Sequence, residues 1–166
     1  MDTITALSSK LDDVGKNVEQ ERKEKSNRKK IASKLQLEKW APDSPGIYWI
    51  ETNMPEDEML ASIKKTTGKE KKVRSTAPEG KGYCKTRSGY TMVYCGTQAS
   101  IKSRLLEHLF NEGSQNTAKL GCKLEDEPFS KYGWFISYYE LENTTLRYAI
   151  ESWWRINVGW PKFCLR

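Results

Sequence analysis

The sequence predicts a small α/β fold: a three-stranded antiparallel sheet flanked by helices, with an N-terminal helix and a long basic insertion between the first two strands. Three stretches rich in β-branched and aromatic residues, at about 45–51, 90–95 and 132–141, are the predicted strands. Apolar residues that recur every three to four positions after the second and third stretches predict helices packed on the sheet. The 166 residues, 37% of them hydrophobic, are enough for one domain with a core.

Residues 1–39 are predicted to form an N-terminal helical arm. Apolar residues in its first half are spaced alternately three and four apart, which is the seam spacing of a coiled coil. The seam is little longer than two heptads, so a helix laid on its own domain and a contact in a homodimer are both consistent with it. The charged run from Glu19 to Lys34 is typical of a solvated face or of an arm that touches DNA. The seam residues are Ile4, Leu7, Leu11, Val14 and Val18.

We assign residues 40–166 to one domain that carries an insertion at about 52–89. The insertion begins with a short predicted helix, Pro55–Lys65, and then becomes strongly basic. A flexible, cationic segment with nearby tyrosines suits the phosphate backbone of double-stranded DNA, although a disordered solubilising loop has the same composition. The predicted DNA-binding residues are Lys64, Lys65, Lys69, Lys71, Lys72, Arg74, Lys81, Lys85 and Arg87, and only two acidic residues accompany these nine.

The second predicted strand leads through a turn into an amphipathic helix. Gly96 ends the apolar run, where the absence of a Cβ lets the backbone turn sharply or approach another group closely. Thr97 or Ser100 is predicted to cap the helix. Arg104 and His108 are four residues apart, so they lie side by side along the helix. A fixed cation beside an imidazole suits phosphate handling, although a surface arginine and a core histidine explain the same pattern.

The third predicted strand leads into the last predicted helix, Leu146–Val158, which Asn143 or Thr144 caps. Glu151 lies among the apolar residues of this helix. On the evidence of the helix alone, such a glutamate is a surface residue.

Two tripeptides and three further residues resemble those of the GIY-YIG nuclease family. Gly46-Ile47-Tyr48 and Tyr94-Cys95-Gly96 occupy the places of its two named motifs. In that family an arginine follows the second motif by the spacing seen for Arg104, and a tyrosine or histidine follows the arginine by the spacing seen for His108. The family also places a metal-binding glutamate on a later helix, as Glu151 is placed here.

The resemblance implies Mg²⁺-dependent hydrolysis of DNA phosphodiester bonds, with Mn²⁺ as a substitute ion. It implies that Tyr94 is the general base on the attacking water and that Tyr48 orders this water. His108 would help Tyr94 lose its proton. Arg104 would hold the scissile phosphate, and Glu151 would bind the ion that stabilises the leaving oxygen.

The compact chain most resembles the GIY-YIG restriction endonucleases, because its recognition elements are confined to the insertion and the N-terminal arm. This implies site-specific cutting of double-stranded DNA, and cutting both strands suits a homodimer. A structure-specific or mobile-element nuclease is the alternative. The insertion places the two motifs further apart than is usual in the family. Cys164 stands where the family usually has an asparagine, which leaves a DNA-binding module with weakened catalysis as a third hypothesis.

No feature of the sequence predicts membrane insertion or export. The chain has no apolar run of membrane-spanning length, and its first residues lack the basic-then-apolar layout of a signal peptide. We therefore expect a cytoplasmic protein without a membrane partner. Its four cysteines, Cys84, Cys95, Cys122 and Cys164, show no CxxC pair and no zinc spacing, so reduced structural thiols are expected.

Overall fold

The computed structural model describes residues 2–70, 89–114 and 117–163. Its helices are α1 (Thr3–Glu21), α2 (Lys34–Trp40), α3 (Glu56–Thr67), α4 (Ile101–Phe110) and α5 (Thr144–Asn157), and a short 3-10 helix spans Phe129–Lys131. Its strands are β1 (Arg28–Lys30), β2 (Gly46–Thr52), β3 (Thr91–Gln98) and β4 (Trp134–Glu140). Within the described ranges, none of the helices is both long and apolar enough to span a bilayer.

The four strands form one antiparallel sheet in the order β1-β4-β2-β3. The prediction of an α/β fold with an antiparallel sheet is confirmed, but the predicted number of three strands is wrong. The additional strand is β1, in which Arg28 pairs with Ser137 and Lys30 pairs with Phe135 of β4. Sequence patterns do not reveal this strand because its three residues are all basic, so apolar and polar positions do not alternate along it.

Helices cover both faces of the sheet. Tyr48 and Tyr94 point to the face that α2, α3 and α4 cover, where the larger apolar cluster lies. Ile47 and Trp49 point to the opposite face, which α1 and α5 cover. All seven residues of β2 are buried because the strand is central and covered on both sides.

Helix α1 packs against α5. The two helices approach closely at Gly15, where a Cβ would lie 2.2 Å from the Trp153 ring. Val18 is buried in the smaller apolar cluster beside Trp153. Ile4 and Leu7, by contrast, are 82% and 67% exposed. The predicted coiled-coil seam is therefore divided between packing on its own domain and an exposed face.

A buried ion pair fastens the end of α1 to the sheet. Arg22 is 3% exposed, and its guanidinium carbon lies 5.1 Å from the ring centroid of Trp49 and 5.2 Å from that of Trp154. Glu19 accepts a hydrogen bond of 2.5 Å from Arg22 Nε. Burial by itself would raise the pKa of Glu19, but the charge and hydrogen bond of Arg22 outweigh it and hold the pKa below its usual value.

Side-chain caps begin both of the helices that carry the predicted site residues. The Ser100 side chain accepts a hydrogen bond from the Ser103 N–H at the start of α4, and the Asn143 side chain accepts one from the Leu146 N–H at the start of α5. Each pair of alternative caps predicted from the sequence is thereby resolved in favour of one residue.

Candidate active site

Tyr48 and Tyr94 lie side by side on the sheet face that α4 covers. In the β2–β3 ladder Tyr48 is opposite Gly96 and Ile50 is opposite Tyr94, so both phenol rings point to the same face. The rings are nearly parallel, with an interplanar angle of 5° and centroids 6.1 Å apart. Tyr48 is 1% exposed and Tyr94 is 8% exposed, so Tyr94 is the more accessible of the two.

Helix α4 brings His108 into contact with both tyrosines. His108 is fully buried, its Nε2 is 3.0 Å from Tyr48 Oη, and its ring centroid is 4.2 Å from that of Tyr94. On the other side of the ring, Nδ1 accepts a hydrogen bond of 3.0 Å from the Leu120 N–H. A neutral imidazole carries its proton on one of its two ring nitrogens. Because Nδ1 accepts a hydrogen bond, the proton lies on Nε2, and the Nε2–H group donates a hydrogen bond to the Tyr48 hydroxyl oxygen.

Arg104 lies one turn before His108 on α4. Its guanidinium forms an ion pair with Glu107 and donates a hydrogen bond of 2.6 Å to the Ala118 carbonyl oxygen. The same loop segment, residues 118–120, therefore holds Arg104 through a carbonyl and His108 through an amide. We call this segment the 118–120 brace. Its middle residue, Lys119, is itself fixed, because Lys119 Nζ donates to backbone carbonyls just beyond α4, the shortest contact being 2.6 Å.

The charges of Arg104 and Glu151 both affect the pKa of Tyr48. Burial raises the pKa of Tyr48 well above its usual value of 10, and negative charge on Tyr94 and Glu151 adds to the rise. Arg104 opposes the rise through its charge and a hydrogen bond to Tyr48. Tyr48 therefore keeps its proton at neutral pH, so its hydroxyl is able to donate a hydrogen bond.

Helix α5 brings Glu151 to the outer edge of β3. Glu151 is 8% exposed, and its carboxylate forms an ion pair with Arg155, one turn later on the same helix. Arg155 Nη2 also donates a hydrogen bond of 2.7 Å to the Cys95 carbonyl oxygen of β3. This contact joins α5 to the strand that carries Tyr94. The structure therefore gathers Tyr48, Tyr94, Arg104 and His108 on one face of the sheet, whereas Glu151 lies on the helix that covers the opposite face and is linked to them through its electrostatic effect on Tyr48.

The basic insertion begins beside this cluster. Burial lowers the pKa of Lys119, Glu107 opposes this effect, and the charges of Arg104 and Lys69 lower the pKa further, so Arg104 and Lys69 each lie within electrostatic range of Lys119. Among the predicted DNA-binding residues, Lys64, Lys65 and Lys69 are exposed at the end of α3 or just beyond it. Lys64 is 61% exposed and pairs with Glu70 at 2.7 Å. Lys71, Lys72, Arg74, Lys81, Lys85, Arg87 and Cys164 lie outside the described residues.

Glu151 supplies a hard oxygen ligand of the kind that Mg²⁺ prefers. Mg²⁺ usually keeps several water ligands and binds one or two protein carboxylates. In the part of the chain that the structure describes, no three His, Cys, Asp or Glu side chains are grouped as a metal site. A hydrated ion on one carboxylate does not require such a group. The chemistry of the donor set therefore fits a hydrated Mg²⁺ or Mn²⁺.

Three parts of the site are not predicted by the sequence analysis: Glu107, Arg155 and the 118–120 brace. Glu107 follows Arg104 by three residues and Arg155 follows Glu151 by four, so helical spacing is the signal that could have identified both pairs. The brace acts on Arg104 and His108 through backbone atoms of a loop, for which side-chain identity gives no signal.

Comparisons of this chain with protein-family models, with curated proteins and with solved structures found no match. Its function is therefore inferred from its own residues and their geometry.

Proposed function

We propose that this chain is a divalent-metal-dependent endonuclease of the GIY-YIG type, which hydrolyses phosphodiester bonds in double-stranded DNA. The observation that supports this most is the hydrogen bond of 3.0 Å between Tyr48 and His108, two residues 60 positions apart, within a cluster that also holds Tyr94 and Arg104 and that Glu151 affects electrostatically. Phosphodiester hydrolysis needs a base for the attacking water, a cation for the phosphate and an electrophile for the leaving oxygen. The cluster contains a candidate for each.

Tyr94 is the general base in this proposal. Burial lowers the pKa of Arg104, but its interactions with Tyr48, including a hydrogen bond, its hydrogen bond to Glu107 and the charge of an ionised Tyr94 outweigh burial and raise it. By the same interaction the guanidinium favours the phenolate form of Tyr94. In its phenolate form Tyr94 Oη accepts a proton from water, the water oxygen attacks phosphorus, the bond from phosphorus to the 3′ oxygen breaks, and the 3′ oxygen takes a proton from solvent. A positioned base of this kind contributes about 10²- to 10⁴-fold to the rate.

His108 has a different role from the one that the family resemblance implies. Its Nδ1 accepts the Leu120 N–H and its Nε2–H is directed to Tyr48, so it fixes the Tyr48 hydroxyl. The Tyr48 proton is then available to a water molecule or a phosphate oxygen. In this arrangement Tyr48 orders the attacking water, and His108 is a positioning residue for Tyr48 rather than a proton acceptor for Tyr94.

Arg104 holds the scissile phosphate. A guanidinium has five N–H donors in a planar fork, so its contacts with Glu107, Ala118 and Tyr48 leave donors for a phosphate oxygen. The 118–120 brace fixes the plane of this fork. A hydrated Mg²⁺ on Glu151 would supply Lewis-acid stabilisation of the leaving oxygen.

The substrate assignment to DNA is supported by the position of the basic insertion. Lys69 begins its basic part within electrostatic range of Lys119, which is in turn close to Arg104. A polyanion that follows these cations is led to the tyrosine pair. Site-specific, restriction-type cutting by a homodimer is the form of the activity we propose, and the exposed Ile4 and Leu7 of α1 provide an apolar face for a second copy.

Cleavage of supercoiled plasmid with Mg²⁺ tests the proposal. We expect discrete linear fragments from the wild type, and loss of cleavage with retained DNA binding from Glu151→Gln. Glu56→Gln is the matched control, because Glu56 is an equally charged residue whose partner is Lys162. Nicking or selective cutting of branched DNA would favour the structure-specific alternative, and a mobility shift without cleavage would favour a binding module. Cleavage by Glu151→Gln at the wild-type rate would contradict the metal assignment.

A further inference from the structure

Arg155 places a guanidinium directly against the carboxylate that we assign to the metal. The Glu151 and Arg155 side chains are each 11% exposed, so solvent screens their ion pair only weakly. Arg155 is held from two further sides: Nη2 donates 2.7 Å to the Cys95 carbonyl oxygen, and the guanidinium carbon is 5.8 Å from the Trp160 ring centroid. Arg155 is thus a fixed neighbour of Glu151.

A fixed cation at this position affects any second cation that binds the same carboxylate. A buried carboxylate is costly to desolvate, and Arg155 offsets this cost for Glu151 while no metal is bound. A divalent ion that approaches Glu151 meets the positive charge of Arg155, and the low exposure of the pair makes this repulsion stronger than it would be in water. The contact with Cys95 limits how far the guanidinium can withdraw.

We propose that Arg155 is the resident counterion of Glu151 and keeps the affinity of this carboxylate for a divalent cation low in the absence of DNA. This inference rests on the proposed function, because it concerns the same metal site. Arg155 is a positioning residue: it acts on the ion through Glu151. Negative charge from a bound phosphate offsets the guanidinium, so the ion and DNA favour each other's binding.

Isothermal titration calorimetry with Mn²⁺ alone, on the full chain without DNA, tests this inference. We expect Arg155→Gln to bind Mn²⁺ about tenfold more tightly than the wild type, because it removes one close positive charge. Arg155→Lys, which keeps the charge, should stay within about threefold of the wild type. Lys162→Gln is the matched control, because it removes one positive charge from a pair with Glu56 and should leave the affinity unchanged. Glu151→Gln should abolish binding at this site.

Circular dichroism on each variant verifies folding, and Arg155→Met, which keeps the aliphatic stem, replaces Arg155→Gln if the latter unfolds. Equal or weaker Mn²⁺ binding by the uncharged Arg155 variant would overturn the inference, while loss of binding in Glu151→Gln would still support the metal site. Mn²⁺ binding that persists in Glu151→Gln would reject both the metal site and the inference. Absence of Mn²⁺ binding in the wild type and in every variant would also reject both.

Discussion

Gly96 lies directly opposite Tyr48 in the β2–β3 ladder, and a Cβ on Gly96 would be 2.6 Å from the Tyr48 hydroxyl oxygen. The sequence predicts that this glycine ends the strand, but that prediction is wrong, because β3 continues to Gln98. Its role is the close approach that the missing Cβ permits: the phenol of Tyr48 passes over the backbone of Gly96 and reaches His108.

Replacement of Gly96 by alanine should therefore displace the Tyr48 hydroxyl. We expect Gly96→Ala to lower the free energy of unfolding by about 1–3 kcal/mol through overpacking, and to lower cleavage by about 100-fold through misplacement of Tyr48. Urea unfolding and plasmid cleavage measure the two effects. Tyr48→Phe removes the oxygen that the new methyl group meets, so Gly96→Ala should cost less stability in a Tyr48→Phe background than in the wild type. Equal costs of Gly96→Ala in the two backgrounds would contradict the assigned contact.

The tautomer of His108 is open to direct measurement. It is the single histidine of the chain, so its two ring nitrogens give one pair of ¹⁵N resonances. Because the Leu120 N–H donates to Nδ1, we expect Nε2 to be the protonated nitrogen and Nδ1 to be unprotonated in long-range ¹H–¹⁵N spectra at neutral pH. The reverse pattern would show that His108 accepts a hydrogen bond from Tyr48.

The role of His108 as a donor also predicts the activity of its variants. His108→Ala removes the donor to Tyr48 and should lower cleavage by about 100-fold. High pH should not rescue this variant, because the missing group is a donor rather than a proton acceptor. His108→Gln supplies an amide N–H and should restore part of the rate. A pH–rate profile of His108→Ala that rises to the wild-type value in alkali would instead support proton transfer through His108.

Lys69 should contact a DNA phosphate near the active site. In that case Lys69→Ala should make the plot of log K against log salt concentration shallower by about 0.9, where K is the DNA-binding constant. This is the contribution of one phosphate contact to the slope. Lys10, an exposed lysine on α1 at the opposite face of the sheet, provides the control, and Lys10→Ala should leave the slope unchanged. Binding titrations at several salt concentrations measure both slopes. Identical slopes for Lys69→Ala and the wild type would remove Lys69 from the DNA path.

The buried pair of Glu19 and Arg22 predicts a loss of stability in acid. Because the folded state holds the pKa of Glu19 below its usual value of 4.5, the folded protein binds fewer protons there than the unfolded chain. The stabilisation is therefore complete above pH 4.5 and is lost as the pH falls through the lower, folded value. Glu19→Gln should cost about 3 kcal/mol at neutral pH and flatten this acid dependence. Glu24 is exposed, so Glu24→Gln is the control variant. An unaltered pH profile of stability in Glu19→Gln would exclude Glu19 as the source of the acid dependence.

The sequence predicts this fold most completely where side-chain type and spacing determine the structure. The α4 and α5 helices, their caps and the three longer strands follow from apolar periodicity and capping residues. The convergence of Tyr48, Tyr94 and Arg104 depends on strand register, which spacing alone does not specify. The family resemblance, rather than periodicity, identified these residues as a set.

The features that escape prediction are those made by the backbone or by charge. Strand β1 is held by hydrogen bonds such as that from the Ile31 N–H to the Trp134 carbonyl, and its basic side chains carry no strand signal. The buried Arg22 lies in a charged run that is typical of a solvated face. Only the fold places both Trp49 and Trp154 against it, so its burial could not be read from neighbouring residues.

The outer strand β1 has a consequence for how copies of this protein meet. Without Arg28–Lys30, the free side of β4 would expose a row of unpaired backbone groups, to which another chain could add a strand. Arg28 is paired with Glu51, whereas Lys29 and Lys30 are exposed and place like charges along the new border, which repel a second copy. At the other border, the Lys162 and Phe163 amides cover the Met92 and Val93 carbonyls of β3. Part of each border is thus covered or charged, which disfavours the addition of a strand from a second copy at either edge of the sheet.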